Sequence, residues 1–199
     1  MKKAINIIYD EHRSISAVLS GLKELARIAR EEKLRPDFSV FRAMIYYIDA
    51  FPERMHHPKE DLHLFAWLLL RDPGARELIE KLQAEHVAGA KLVRDLEQAL
   101  LAFEQNWPKG AEQFVATVDA YAQFHWDHMR SEERELIPRA EKALLAEDWA
   151  DIEAAFAGNQ DPIADLREKD FNGLFQRIVN LAPAPVGLGD PWKAQRTVS

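Results

Sequence analysis

The chain has no cysteine among its 199 residues. Disulfides, thiolate nucleophiles, iron–sulfur clusters and cysteine zinc sites are excluded together, so any metal must be bound through nitrogen and oxygen. Long apolar runs are missing as well. None approaches the roughly 20 residues of a membrane span, and the N-terminal MKKAINIIYDEHR turns charged too early for the apolar core of a signal peptide. A cytoplasmic protein with no membrane partner is expected. Positive charge is in deficit: 26 Lys and Arg stand against 33 Asp and Glu, for a net charge of -7. Nucleic acid and anionic lipid surfaces both need a basic face, so no nucleic-acid partner is expected, and small molecules or proteins remain. Flavin and nicotinamide motifs are absent, as is any repeat of solenoid length.

What is present is helical. Apolar positions recur at steps of three and four, and a hydrophobic content of 47% is enough for a sizeable core. Ile5, Ile8, His12, Ile15, Leu19, Leu22 and Ala26 fall on one stripe, predicting a helix from about residue 3 to 32, with His12 inside the apolar seam. Further helices are expected from about Ser39 to Leu70, Pro73 to Asn106 and Ala111 to Leu145. Turn chemistry separates them: Leu34-Arg35-Pro36, Asp72-Pro73-Gly74 and Trp107-Pro108-Lys109-Gly110. The fold class is therefore all-α, an up-down-up-down four-helix bundle over residues 1–157. Residues 158–199 read as an extension with a short helix near 164–180 and a Pro/Gly-rich tail from Ala182 to Asp190. A tail without its own core is expected to lie on the bundle or on a partner or to stay mobile, which leaves a protein partner or self-association through it open.

In such a bundle, residues equidistant from a turn share one height along the axis. The midpoint of His12 and His56 is residue 34, that of His56 and His86 is 71, and that of His86 and His128 is 107. All three fall on the turns already identified. Four histidines, one per helix, are thus placed at one level. Two carry a carboxylate one helical turn later, His56 with Glu60 and His128 with Glu132, on the same helix face. Unpartnered carboxylates on a core seam are costly unless a metal or charge compensates them. The candidate metal set is therefore His12, His56, Glu60, His86, His128 and Glu132. Six donors shared by two ions leave coordination positions open, whereas a purely structural site is filled.

Some assignments stay open. His57 with Asp61 has the same spacing as His56 with Glu60, and Pro52 and Pro58 predict a kink or bulge that blurs the phase of this helix. Glu133 competes with Glu132. His125, one turn before His128, suits an outer hydrogen-bond role. His63, Tyr46, Tyr47 and Tyr121 read as structural, and Gly89 as space for a metal or gas, or as a close helix contact.

The run His56-His57-Pro58-Lys59-Glu60-Asp61, the pair Glu85-His86, and His128-Met129-Arg130-Ser131-Glu132-Glu133 before Leu136-Ile137-Pro138 resemble the hemerythrin-like, HHE cation-binding family over roughly residues 4 to 145. The resemblance implies two iron ions in a carboxylate-bridged, oxo- or hydroxo-bridged centre. It also implies a role in binding, sensing or reacting with oxygen (O2), nitric oxide (NO) or peroxide. Two functions follow: reversible binding or sensing of a diatomic gas, or a di-iron oxidoreductase. Ferritin-like oxidases place Glu-x-x-His on two helices, but here Glu53-x-x-His56 and Glu60-x-x-His63 share one helix, so that layout fails and the nitrogen-rich set leans toward gas binding. A helical interaction module with a structural metal is the third possibility. It gives no reason for six polar residues on core seams.

Overall fold

The computed structural model describes residues 2–32 and 35–157. Within them five helices follow one another. We number them α1 (Lys3–Glu32), α2 (38–71), α3 (Arg76–Gln105), α4 (111–143) and α5 (Ala146–Ala157). The expected extension at 158–199 lies outside the described residues. The first three long helices end where the turn residues stand. Asp37 caps α2 by accepting from the Ser39 amide at 2.9 Å. Asp72 accepts from the Gly74 amide at 3.0 Å and is tied to Arg139 of α4 at 2.9 Å, pinning the α2–α3 turn to the far helix. Gly110 opens α4 so close to α3 that a Cβ there would lie 2.5 Å from the Phe103 Cα.

Helix α1 packs on α4, α4 on α3, and α2 lies between α1 and α3, closing a ring of four. Two apolar cores result. One gathers Leu19, Leu22, Phe41, Ile48, Leu96, Phe103, Phe114 and Val118 toward the α1–α2 turn. The other gathers Ile5, Ile8, Leu64, Phe65, Leu68, Ile79, Leu82, Leu136 and Ile137 toward the α2–α3 turn. A layer of buried polar residues separates them, containing His12, His56, His57, Glu60, His86, His125, His128 and Glu132.

Two features go beyond the sequence expectation. The distortion expected in α2 takes the form of two π-helical turns, Asp49–His56 with Pro52 inside and Glu60–Phe65, with Pro58 between them. A third, Glu132–Leu136, precedes Pro138 in α4. Proline lacks the N–H for the ordinary i to i−4 bond, and widened turns absorb the mismatch. The second is α5. The fourth helix ends at Ala143, close to its expected end at Leu145 or slightly earlier, but the chain then restarts as a helix that the sequence reading does not assign. Trp149, Ile152 and Phe156 of α5 then pack into the second core against α1 and α2.

Candidate metal centre

The polar layer is built from helix faces. On α1, His12 occupies the seam between Ile8 and Ile15 and is 2% exposed. On α2, His56 and His57 are consecutive and both buried. Consecutive helical residues point about 100° apart, and α2 has a neighbour on each side. His56 therefore meets His12 of α1, Nε2 to Nε2 at 3.1 Å. His57 stacks on His86 of α3, ring centroids 4.2 Å apart and nearly parallel. His86 in turn meets His128 of α4, Nε2 to Nε2 at 3.0 Å.

Between the two histidine pairs stand Glu60 and Glu132, each 1% exposed. Donor atoms of His12, His56, Glu60 and Glu132 all lie within 4.8 Å of one another, as do those of Glu60, His86, His128 and Glu132. The two carboxylates belong to both groups. His57, His86 and His128 form a third group by the same measure. All six residues singled out in the sequence are thus brought together, and the structure adds His57 to them. His56/Glu60 and His57/Asp61 are not alternatives: His56, His57 and Glu60 all face inward, and Asp61 stands outside.

The outer shell is equally regular. His56 Nδ1 donates to Glu11 of α1 at 2.7 Å, His86 Nδ1 to Asp61 of α2 at 3.1 Å, His128 Nδ1 to Glu85 of α3 at 2.9 Å, and His12 Nδ1 to Glu133 of α4 at 3.0 Å. Each helix of the ring passes one carboxylate to the histidine of the next. With its proton held at Nδ1, every one of these imidazoles presents an Nε2 lone pair to the centre. Both oxygens of Glu60 and both of Glu132 have no hydrogen-bond partner. With all four imidazoles neutral, four lone pairs and four carboxylate oxygens therefore converge without a donor among them. Two lone pairs facing at 3.0–3.1 Å repel each other, yet nitrogens at adjacent positions on one metal, bound at about 2.1 Å, stand about 3.0 Å apart. The donor set and its spacing fit a pair of metal ions.

In the metal-free chain, protons supply the missing positive charge. Burial lowers the His128 imidazole, but Glu132 and Glu85 outweigh it and hold the group up to about 9. Burial acts against His12 and His86 too, and Glu132 with Glu133 or Asp61 raises both. Glu132 is held well below the usual carboxylate range by His128 despite its burial. Burial and the charge of Glu132 push Glu60 well above it. His57, buried and flanked by other imidazoles, is lowered to about 3 and stays neutral.

The remaining candidates fall outside the centre. His125 contacts Tyr121 Oη at 3.1 Å and Glu53 at 3.2 Å. His63 Nδ1 donates to Asp151 of α5 at 3.0 Å. Tyr47 packs on Phe51, whereas Tyr46 is half exposed on the surface instead of in the core. The space left by Gly89 is taken by the Glu53 carboxylate, whose Oε1 would lie 2.9 Å from a Cβ there. The roles of Glu11, Asp61, Glu85 and Glu133 were missed in the sequence, although each is the chain neighbour of an inner residue: His12, Glu60, His86 and Glu132. That adjacency is the available signal, because the next residue on a helix is rotated toward the neighbouring helix.

A family model for the hemerythrin HHE cation-binding domain matches residues 3–140. No curated protein matches the chain.

Proposed function

The chain belongs to the hemerythrin HHE cation-binding family, and on that footing we propose that its core holds two iron ions and takes up oxygen or nitric oxide. The observation that carries the proposal is the convergence of four imidazole Nε2 atoms with four carboxylate oxygens that have no hydrogen-bond partner. His12 and His56 would hold one ion, and His86 and His128 the other, with His57 beside the second pair. Glu60 and Glu132 would span both. Bound there with an oxo or hydroxo bridge, iron would supply reversible one- and two-electron chemistry toward a diatomic ligand.

The chain's own residues do the rest. Glu11, Asp61, Glu85 and Glu133 orient the four imidazoles through Nδ1 and raise their basicity. Glu60 and Glu132, both buried, would neutralise the cationic charge. The protein donors are unequal on the two sides, with three imidazoles near His86 and two near His12. An incoming ligand is therefore expected on the His12/His56 side, where fewer protein groups compete. Phe51 and Phe156 lie 6.5 and 6.4 Å from the His56 ring and line that side with apolar surface suited to a small apolar gas.

Protein purified from iron-replete cells should contain two irons per chain and show near-ultraviolet and visible absorption, and anaerobic reduction followed by oxygen or nitric oxide should give a discrete spectral change. One metal at full loading, or no response to either gas, would overturn the proposal. Sustained oxygen or peroxide consumption with only a simple reductant supplied would favour a di-iron oxidoreductase instead.

A further inference from the structure

Beyond the four outer carboxylates, a further carboxylate reaches into the polar layer that the site described so far does not use. The side chain of Glu53 is 5% exposed. It lies four residues before His57 on the same face of α2, within the π-helical turn Asp49–His56. Three groups surround its carboxylate: His125 Nε2 at 3.2 Å, Tyr121 Oη at 3.4 Å and His57 Nδ1 at 3.4 Å. On the fourth side stands Gly89 of α3, where a Cβ would sit 2.9 Å from Oε1 and 3.3 Å from Oε2.

We propose that Glu53 is the positioning residue for His57, setting that imidazole toward His86 and His128 as an additional ligand, and that Gly89 is glycine to admit the Glu53 carboxylate. The proposal rests on the metal-binding reading above and extends it to a residue on the opposite side of the layer from α5. An ionised carboxylate in an apolar core is costly unless partners compensate it. Glycine inside a helix is costly as well, and Gly89 lies one turn after His86 in the middle of α3. Both costs are explained if the chain needs an acceptor at the His57 Nδ1. His57 resembles the other four imidazoles in having a carboxylate beside Nδ1, but it differs in drawing that carboxylate from its own helix and in holding it by a charge contact at 3.4 Å, with no hydrogen bond made at Nδ1. Stacking on His86 at 4.2 Å sets the plane of the ring, and the Glu53 carboxylate 3.4 Å from Nδ1 biases its rotation within that plane.

The test uses the full chain, stripped of metal by chelation and titrated anaerobically with Co(II), whose visible spectrum reports the number and type of ligands. Glu53→Gln and Gly89→Ala should each weaken uptake of one of two ions about 10- to 100-fold, leaving the other within about twofold. His57→Gln should do the same, and adding Glu53→Gln to it should change nothing further, because Glu53 acts through His57. Gly89→Ala should leave the melting temperature of the metal-free protein unchanged or higher, since alanine is the better helix former. Loss of metal-free stability with metal affinity intact would reduce Glu53 and Gly89 to packing and overturn the proposal. So would fully additive effects of Glu53→Gln and His57→Gln, or equal weakening of both ions. If the wild type takes up a single ion, the two-metal reading fails, and Glu53 is still judged by whether its effect disappears in the His57→Gln background.

Discussion

Glu132 and Glu133 are chain neighbours with opposite surroundings. Glu132 is 1% exposed, stands among donor atoms from both histidine pairs and has no hydrogen-bond partner for either oxygen. Glu133 is 38% exposed and accepts from His12 Nδ1. Glu133→Ala should therefore weaken metal binding about tenfold by loosening one imidazole, and Glu132→Ala by more than about 100-fold through loss of a shared donor. Competition titration against a chelator measures both, and equal losses would show that the wrong carboxylate has been placed at the centre. The same residues set a pH dependence. His128 is held up to about 9 in the metal-free fold against 6.5 for the free group, so its stabilising contribution is complete below 6.5 and lost as pH rises toward 9. His12 and His86 are shifted the same way. Metal must displace those protons, so its affinity rises over the same window. The gap in melting temperature between loaded and chelated protein should widen from pH 6.5 to 9, and a constant or shrinking gap would contradict the assigned shifts.

At the scale of helices, the heights of His12, His56, His86 and His128 could be read from the sequence because short turns force antiparallel neighbours to share a level. The direction of side chains within α2 could not. Prolines 52 and 58 signal a distortion but not its form, and the π-helical turns decide that His56 and His57 face inward together. Helix α5 escaped for another reason. Leu144 departs from helical geometry without a proline or glycine to mark it, so the end of the fourth helix near Leu145 is legible but a separate helix over Ala146–Ala157 is not. The consequence lies at the metal layer. Phe156 is 2% exposed, 6.4 Å from the His56 ring and under the Lys59 ammonium at 5.2 Å. The helix is fastened by Asp148 to Arg71 and by Asp151 to His63 and Trp67. Phe156→Ala should cost about 3 kcal/mol of stability by leaving a cavity, a loss a domain of ordinary stability survives. It should also speed nitric oxide association with the reduced protein several-fold while leaving the metal content unchanged. Unaltered association rates in stopped-flow mixing would show that ligands reach the centre by another side.

Across the whole molecule, the polar layer divides the bundle's apolar interior in two. The core near the α1–α2 turn is rich in aromatic rings, with Phe41, Phe103 and Phe114 packed at 5.2–6.4 Å, and all four long helices contribute to it. The core near the α2–α3 turn is smaller and depends partly on α5 to cover Ile5, Ile8 and Phe65. Loaded with metal, the layer would join the two cores, since Glu60 and Glu132 tie α2 to α4 while His12 and His86 bring in α1 and α3. Without metal it holds protonated imidazoles and a carboxylate pair at close quarters, a weaker joint between two cores of unequal size. Chelation should therefore do more than lower the melting temperature. Amide hydrogen exchange in the loaded protein should show both cores protected to a similar degree. After chelation, the segments around Ile5, Leu68, Ile79 and Ile152 should exchange faster than those around Leu22, Phe41, Leu96 and Phe114, because the smaller core loses its anchor first. Restoring metal should reverse the difference. Uniform loss of protection at both ends would mean that the bundle unfolds as one unit and that the layer is no joint at all.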